Sequence, residues 1–224
     1  MQKNKTMDVQ RMTVTAMLCA LAYASVAVST LVFPIKISGF LSLEPKDCIL
    51  AIGAFIYGPV TGLIMSLIVS FIEFLTISST GWIGLVMNVL ASALFICPAA
   101  WIYKRRRTVN GALAGLLVGA LVMTAGMILW NYIITPLYMN VSREVVIGML
   151  VPVILPFNLL KAGLNTALTM LLYQSVVTVL RKAHMLPMQE MPAKRRKLSI
   201  GVAVAAFICV VTLFLVALIW SGIL

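Results

Sequence analysis

The chain has 224 residues, of which 62% are hydrophobic and 10% are charged. A soluble domain carries about 25% charged residues, so this composition excludes a soluble protein and predicts an integral membrane protein. The formal net charge of +11 would indicate nucleic-acid binding in a soluble chain. Here the basic residues lie in short clusters between apolar runs, which is typical of cytoplasmic loops, and we expect no nucleic-acid partner.

The apolar runs are long and continuous, which predicts membrane helices rather than the short alternating strands of a barrel. In chain order the runs cover residues 12–33, 48–57, 61–77, 83–103, 111–134, 156–182 and 198–224. Pro152 and Pro156 place the start of the sixth helix near Pro156, because proline is tolerated in a first turn and breaks a helix interior. The stretch 135–146 is expected to be a loop.

This pattern predicts an all-α membrane protein with three parts. Residues 1–182 form a six-helix membrane domain, residues 183–197 a basic cytoplasmic linker, and residues 198–224 an additional C-terminal transmembrane helix. The short run 48–57 is counted as a crossing, although a span needs about 20 residues.

Basic clusters set the predicted orientation. They precede the first run and follow the fourth and the sixth, at Lys3, Lys5, Arg11, residues 104–107, Arg181 and Lys182. An even number of crossings separates these places, so all of them can face the cytoplasm. The N-terminus is then cytoplasmic and the loop 34–46 faces outward, where Glu44, Lys46 and Asp47 are expected to be solvated.

Polar residues that these clusters do not explain all fall in the outer half of the predicted bundle. They are Glu73, Asn88, Asn131, Asn158, Lys161 and Asn165. Ionisable groups within spans are costly and usually face a cavity or a partner, so the pattern predicts a polar cavity open to the outside. Structural alternatives remain: Lys161 snorkels to the interface, the asparagines bond or cap helices, and Glu73 pairs with a basic side chain. For Asn165 we favour packing.

Small residues mark one face of the first helix. Ala16, Ala20 and Ala24 recur every four residues, a spacing that lets another helix approach closely. The approaching helix belongs either to this protein's own bundle or to a partner. The sequence has no phosphate-binding loop, His/Cys metal cluster or hydrolase motif, so we expect no metal, no ATPase site and no enzymatic activity.

Three stretches carry a resemblance to a known family. "AIGAFIYGPVTGL" resembles the turn between its second and third helices, "MILWNYIITPLY" the Asn-Tyr segment that ends its fifth helix, and "LPFNLLKAGLNTAL" its Pro-Phe-Asn-x-x-Lys motif. The chain resembles, over about residues 12–181, the substrate-binding (S) component of an energy-coupling factor (ECF) vitamin transporter, most closely the riboflavin-specific type.

The resemblance implies a six-helix bundle that captures riboflavin from outside and has no cofactor of its own. Asn131, Asn158 and Lys161 match the family's ligand contacts. Further candidate contacts are Glu73, Asn88, Asn165 and Tyr138. The face of Ala16, Ala20 and Ala24 is similar to the family's docking surface for the transmembrane coupling subunit, and two cytoplasmic ATPase subunits use ATP to drive uptake.

The resemblance also implies a multi-pass protein in the cytoplasmic membrane of a prokaryote, in contact with lipid. Two alternatives stay open for transport. The chain is an S component for a different vitamin or precursor, or it is a self-sufficient proton-coupled carrier in which Glu73 carries the proton. A membrane scaffold or enzyme is the third class, and it predicts no ligand at the Asn131, Asn158 and Lys161 cluster.

Overall fold

The structure is a computed structural model that describes residues 2–31, 36–37, 41–78, 80–183, 185, 209, 211–212 and 216. Within these ranges, side chains are described from Asp8 onward, except at residues 36–37. The elements in chain order are α1 (Gln2–Leu31), β1 (Lys36–Ile37), β2 (Leu41–Ser42), α2 (Lys46–Tyr57), α3 (Pro59–Thr76), α4 (Gly81–Arg105), α5 (Val109–Met139), α6 (Arg143–Met149), a π-helical stretch (Leu150–Ile154) and α7 (Leu155–Lys182). The predicted linker 183–197 and seventh helix 198–224 lie almost entirely outside the described residues.

Long apolar helices dominate the described chain, as the sequence predicted. Segments with the length and composition to cross a membrane are Asp8–Leu31, Pro59–Thr76, Gly81–Arg105, Val109–Met139 and Arg143–Lys182. Large apolar side chains such as Leu31, Leu137 and Val151 are exposed on the outside of the bundle. A helix satisfies its backbone hydrogen bonds internally, so it can cross lipid with its apolar side chains pointing outward.

Helix α2 differs from the expected membrane crossing. Its twelve residues extend about 18 Å, which is too short for about 30 Å of hydrocarbon. It nevertheless runs between two ends of the bundle. Lys46 at its start pairs with Glu73 near the end of α3, and Tyr57 at its end lies 5.5 Å from the Arg11 guanidinium of α1. Gly58, with φ of 98°, then turns the chain into α3, in a conformation that glycine adopts without steric cost.

Helices α4 and α5 approach each other closely because α5 carries glycines at the contact. A Cβ atom added to Gly115 would lie 2.6 Å from the Ala99 carbonyl oxygen, and one on Gly119 would overlap the Phe95 carbonyl oxygen. Small residues four positions apart are a common way to bring two membrane helices together. The close packing of α4 against α5 stabilises the part of the bundle that contains Asn88 and Asn131.

The expected loop 135–146 is mostly helical. Helix α5 continues through Pro136 to Met139, Asn140 ends it with φ of 53°, and α6 begins at Arg143. Pro152 lies in the π-helical stretch, where the ladder is already irregular and the missing N–H of proline costs less. Helix α7 then begins at Leu155 with Pro156 in its first turn, close to the predicted start.

Candidate functional site

A cavity lies among α3, α4, α5 and α7, bordered by β2 and the end of α1. It contains about 800 Å³ of atom-free space, including space open to solvent. Its lining combines apolar and polar side chains: Thr30, Leu41, Ser42, Glu44, Glu73, Ile77, Ser78, Thr80, Met87, Asn88, Ala91, Met127, Asn131, Phe157, Asn158 and Lys161.

The cavity brings together most of the sequence-predicted site residues. Glu73, Asn88, Asn131, Asn158 and Lys161 all line it, although they come from four different helices. The three strongest candidates are buried, with 0% of Asn131, 3% of Asn158 and 7% of Lys161 exposed. Their contact with a ligand remains a prediction, but their positions meet its geometric requirement.

Local hydrogen bonds orient the two asparagines. Asn131 Nδ2 donates to the Met127 carbonyl at 2.7 Å, and its Oδ1 accepts from the Thr135 hydroxyl at 2.8 Å. Asn158 Nδ2 donates to the Ile154 carbonyl at 2.8 Å. Each bond spans one helical turn, so each amide is held against its own helix with part of its hydrogen-bonding capacity left for the cavity.

Two further candidates lie away from the main cavity. Tyr138 lines a smaller adjoining cavity with about 310 Å³ of atom-free space, including space open to solvent, and Asn131 lines both cavities. Asn165 lies beside α2: its Oδ1 accepts from the Cys48 backbone N–H at 2.9 Å, and its Nδ2 donates to the carbonyls of Glu44 and Lys161 at 3.1 and 3.0 Å. Asn165 therefore fastens the start of α2 to α7.

The acidic and basic residues at and just before the start of α2 were expected in solvent, and that expectation is wrong. Glu44 is 6%, Lys46 0% and Asp47 1% exposed. Lys46 Nζ lies 3.0 Å from Glu44 Oε2 and forms a close ion pair with Glu73 Oε2. Asp47 Oδ1 accepts from the Ser92 hydroxyl at 2.5 Å. Buried charges require partners, and here Glu73 of α3 and Ser92 of α4 supply partners from other helices.

These charges form a network in the cavity wall. Glu73 Oε1 accepts from Asn88 Nδ2 at 2.8 Å, and Glu44 Oε2 lies 3.7 Å from Lys161 Nζ. The network therefore links the connection before α2 with α2 itself and with α3, α4 and α7. Burial alone would raise the pKa of Glu44, but the ammonium groups of Lys46 and Lys161 outweigh it and hold that pKa below its usual range. Glu44 is thus ionised at neutral pH.

A short hairpin borders the cavity. Lys36 pairs with Ser42 and Ile37 with Leu41 in an antiparallel register, and the β2 residues Leu41 and Ser42 line the cavity. This part of the chain contains turn formers but no recognisable strand pattern, because each strand has only two residues.

The alanine face of α1 points away from the described bundle. Ala16, Ala20 and Ala24 are exposed, whereas the buried side of α1 carries Val14, Leu18, Cys19, Ala22 and Val26. The alternative that these alanines pack inside the bundle is therefore wrong for the part of the chain that the structure describes.

A family model settles the relationship that the motifs suggested. The model for the substrate-specific component of ECF transporters matches residues 10–173. The chain belongs to this family. Its relatives are similar to it in length. It is 30% identical to the riboflavin transporter RibU of Staphylococcus aureus (strain TCH60), over 81% of this chain and 95% of that protein.

Further similarities agree in length and fold. The riboflavin transporter FmnP of Bacillus subtilis (strain 168) is 28% identical, over 75% of this chain and 92% of that protein. The solved structure of the S component of a bacterial ECF transporter superposes with a TM-score of 0.64 and 30% identity, covering 78% of this chain and 99% of that one. The predicted family and all-α membrane fold are confirmed.

Proposed function

We propose that this S component binds riboflavin, or a closely related flavin, for uptake into the cell. The observation that carries the proposal is the cavity wall in which Asn131, Asn158 and Lys161 lie among apolar side chains such as Met127 and Phe157. Flavin carbonyls and ribityl hydroxyls suit amide and ammonium partners, and the tricyclic ring suits apolar walls. The names of the similar proteins in Staphylococcus and Bacillus support the same ligand.

Riboflavin fluorescence provides the test. The purified protein should quench it on titration and should often carry flavin colour from the cells. Asn158→Ala and Lys161→Ala should each weaken binding by about tenfold or more, because each leaves polar groups of the bound ligand without a partner. Asn110→Ala and Lys182→Ala change the same residue types at exposed positions and should bind like the wild type.

The alternatives give different results. A folded wild-type protein that does not quench riboflavin, but is stabilised by another vitamin, identifies an S component for that vitamin. Near-wild-type affinity in both cavity variants would mean that Asn158 and Lys161 have structural roles and do not contact the ligand. A folded protein that responds to no vitamin favours the scaffold class.

We further infer that α1 docks on a transmembrane coupling subunit that works with two ATP-using cytoplasmic subunits. The exposed row of Ala16, Ala20 and Ala24 supports this, because small side chains permit close helix approach. Ala20→Phe should preserve riboflavin binding and abolish uptake. Leu21→Phe places the same ring at a neighbouring exposed position of α1 and should leave uptake intact. Unchanged uptake in the Ala20 variant would contradict the docking role.

The proposed orientation places the cavity outside a prokaryotic cell and the N-terminus in the cytoplasm. Basic residues support it: Arg11 lies near the start of the first membrane segment, Lys104 and Arg105 end α4, and Arg181 and Lys182 end α7. These positions are at the opposite helix ends from Glu73 and Lys161, as the positive-inside rule requires. Labelling of a cysteine added before residue 8, in intact and in permeabilised cells, tests this orientation.

A further inference from the structure

Glu44 is a buried carboxylate at the cavity wall with acceptor capacity to spare. It is 6% exposed and lines the cavity. Its Oε2 lies 3.0 Å from Lys46 Nζ and 3.7 Å from Lys161 Nζ, yet accepts no well-aligned hydrogen bond from the described residues. A carboxylate has about four acceptor sites, more than these two ammonium groups occupy, so Glu44 can also accept a hydrogen bond from a hydroxyl or N–H group of a ligand.

Among the side chains that the structure describes, the charges around Glu44 leave no cation free for an anionic ligand group. Three buried carboxylates face two ammonium groups in this network among the described residues: Glu44, Asp47, Glu73, Lys46 and Lys161. Lys161 is the cation that lines the cavity, and it already faces Glu44. An additional negative charge would meet repulsion that is strong in a poorly solvated site.

We propose that Glu44 is a specificity residue that selects the neutral, hydroxyl-bearing flavin over its phosphate ester. The Glu44 carboxylate accepts a hydrogen bond from an uncharged donor of the ligand, and it repels a phosphate while engaging the Lys161 ammonium that a phosphate would otherwise use. The inference rests on the proposed function, because it takes the ligand to be a flavin. Discrimination of this kind uses a repulsive element as well as an attractive one.

The test compares the affinities of riboflavin and riboflavin 5′-phosphate by fluorescence quenching at neutral pH. The wild type should prefer riboflavin. Glu44→Gln should move the ratio of the two affinities toward the phosphate by at least about tenfold, since it removes a full charge beside the ligand. Glu44→Asp keeps the charge, and its ratio should stay within about threefold of the wild type.

Two more variants keep the test decisive. Glu144→Gln removes the same charge from an exposed position on α6 and should not change the ratio. Glu73→Gln removes a negative charge from the same cavity wall and should shift the affinity ratio in the same direction as Glu44→Gln. It can therefore replace Glu44→Gln in the test if that variant does not fold.

Each outcome separates the inference from the proposed function. An unchanged ratio in the folded cavity variants, or an equal shift in Glu144→Gln, overturns the role of Glu44 while riboflavin binding by the wild type stands. A wild type that prefers the phosphate also overturns it. A folded wild type that binds neither flavin overturns the proposed function itself.

Discussion

Removing the positive charge of Lys46 should be among the most destabilising single changes in this protein. Lys46 is fully buried between Glu44 and Glu73, and Lys46→Gln would leave two carboxylates without their main counter-ion. Loss of one partner from a buried ion pair typically costs about 3–5 kcal/mol. Because Lys161 lies 3.7 Å from Glu44 and offsets part of the loss, we expect about 3 kcal/mol in the free energy of unfolding.

The assay is reversible unfolding in mixed micelles with increasing denaturing detergent, followed by tryptophan fluorescence. Lys104→Gln, at the exposed end of α4, is the matched control and should unfold within about 0.5 kcal/mol of the wild type. The double variant with Lys46→Gln and Glu73→Gln removes one charge of each sign, so it should be more stable than the sum of the single effects by about 1 kcal/mol or more. A Lys46 variant as stable as the control, or a strictly additive double variant, would refute the reasoning.

Further variants test the supports of the cavity. Asn165→Ala removes the tie between α7 and the start of α2 and should cost about 1–3 kcal/mol, measured in the same micelles, and weaken riboflavin binding. Gly119→Ala forces α4 and α5 apart and should cost about 1–3 kcal/mol, whereas Gly148→Ala, with open space around it, should be neutral. Glu73→Gln should retain uptake in an S component; loss of uptake with binding preserved would favour the proton carrier.

The sequence predicted the parts of the site that lie on long helices. Asn131, Asn158 and Lys161 could be placed at one level because hydropathy and proline position locate the helices that carry them. Their convergence on one cavity followed from topology alone, without any knowledge of side-chain contacts.

The contacts made by the start of α2 could not be predicted in the same way. Lys46 bonds to Glu73, which lies 27 residues away in sequence, and the Cys48 backbone bonds to Asn165, which lies 117 residues away. The local sequence therefore does not distinguish these buried charges from those of a solvated loop. The prediction of a loop at residues 135–146 was wrong for a related reason. Pro136 and Asn140 suggested a loop, but membrane helices tolerate proline where neighbouring helices support the backbone.

The π-helical stretch Leu150–Ile154 sets the rotational phase of the binding helix. A π-helical turn takes up about one residue more than an α-helical turn, and each residue corresponds to about 100° of rotation. On one side of it Val146 is fully buried, and on the other Asn158 and Lys161 line the cavity. Without that extra residue, the segment Arg143–Lys182 could not point both Val146 and the pair Asn158 and Lys161 into the bundle. Deleting one residue here would therefore turn the Asn158 amide and the Lys161 ammonium away from the ligand while leaving every helix intact.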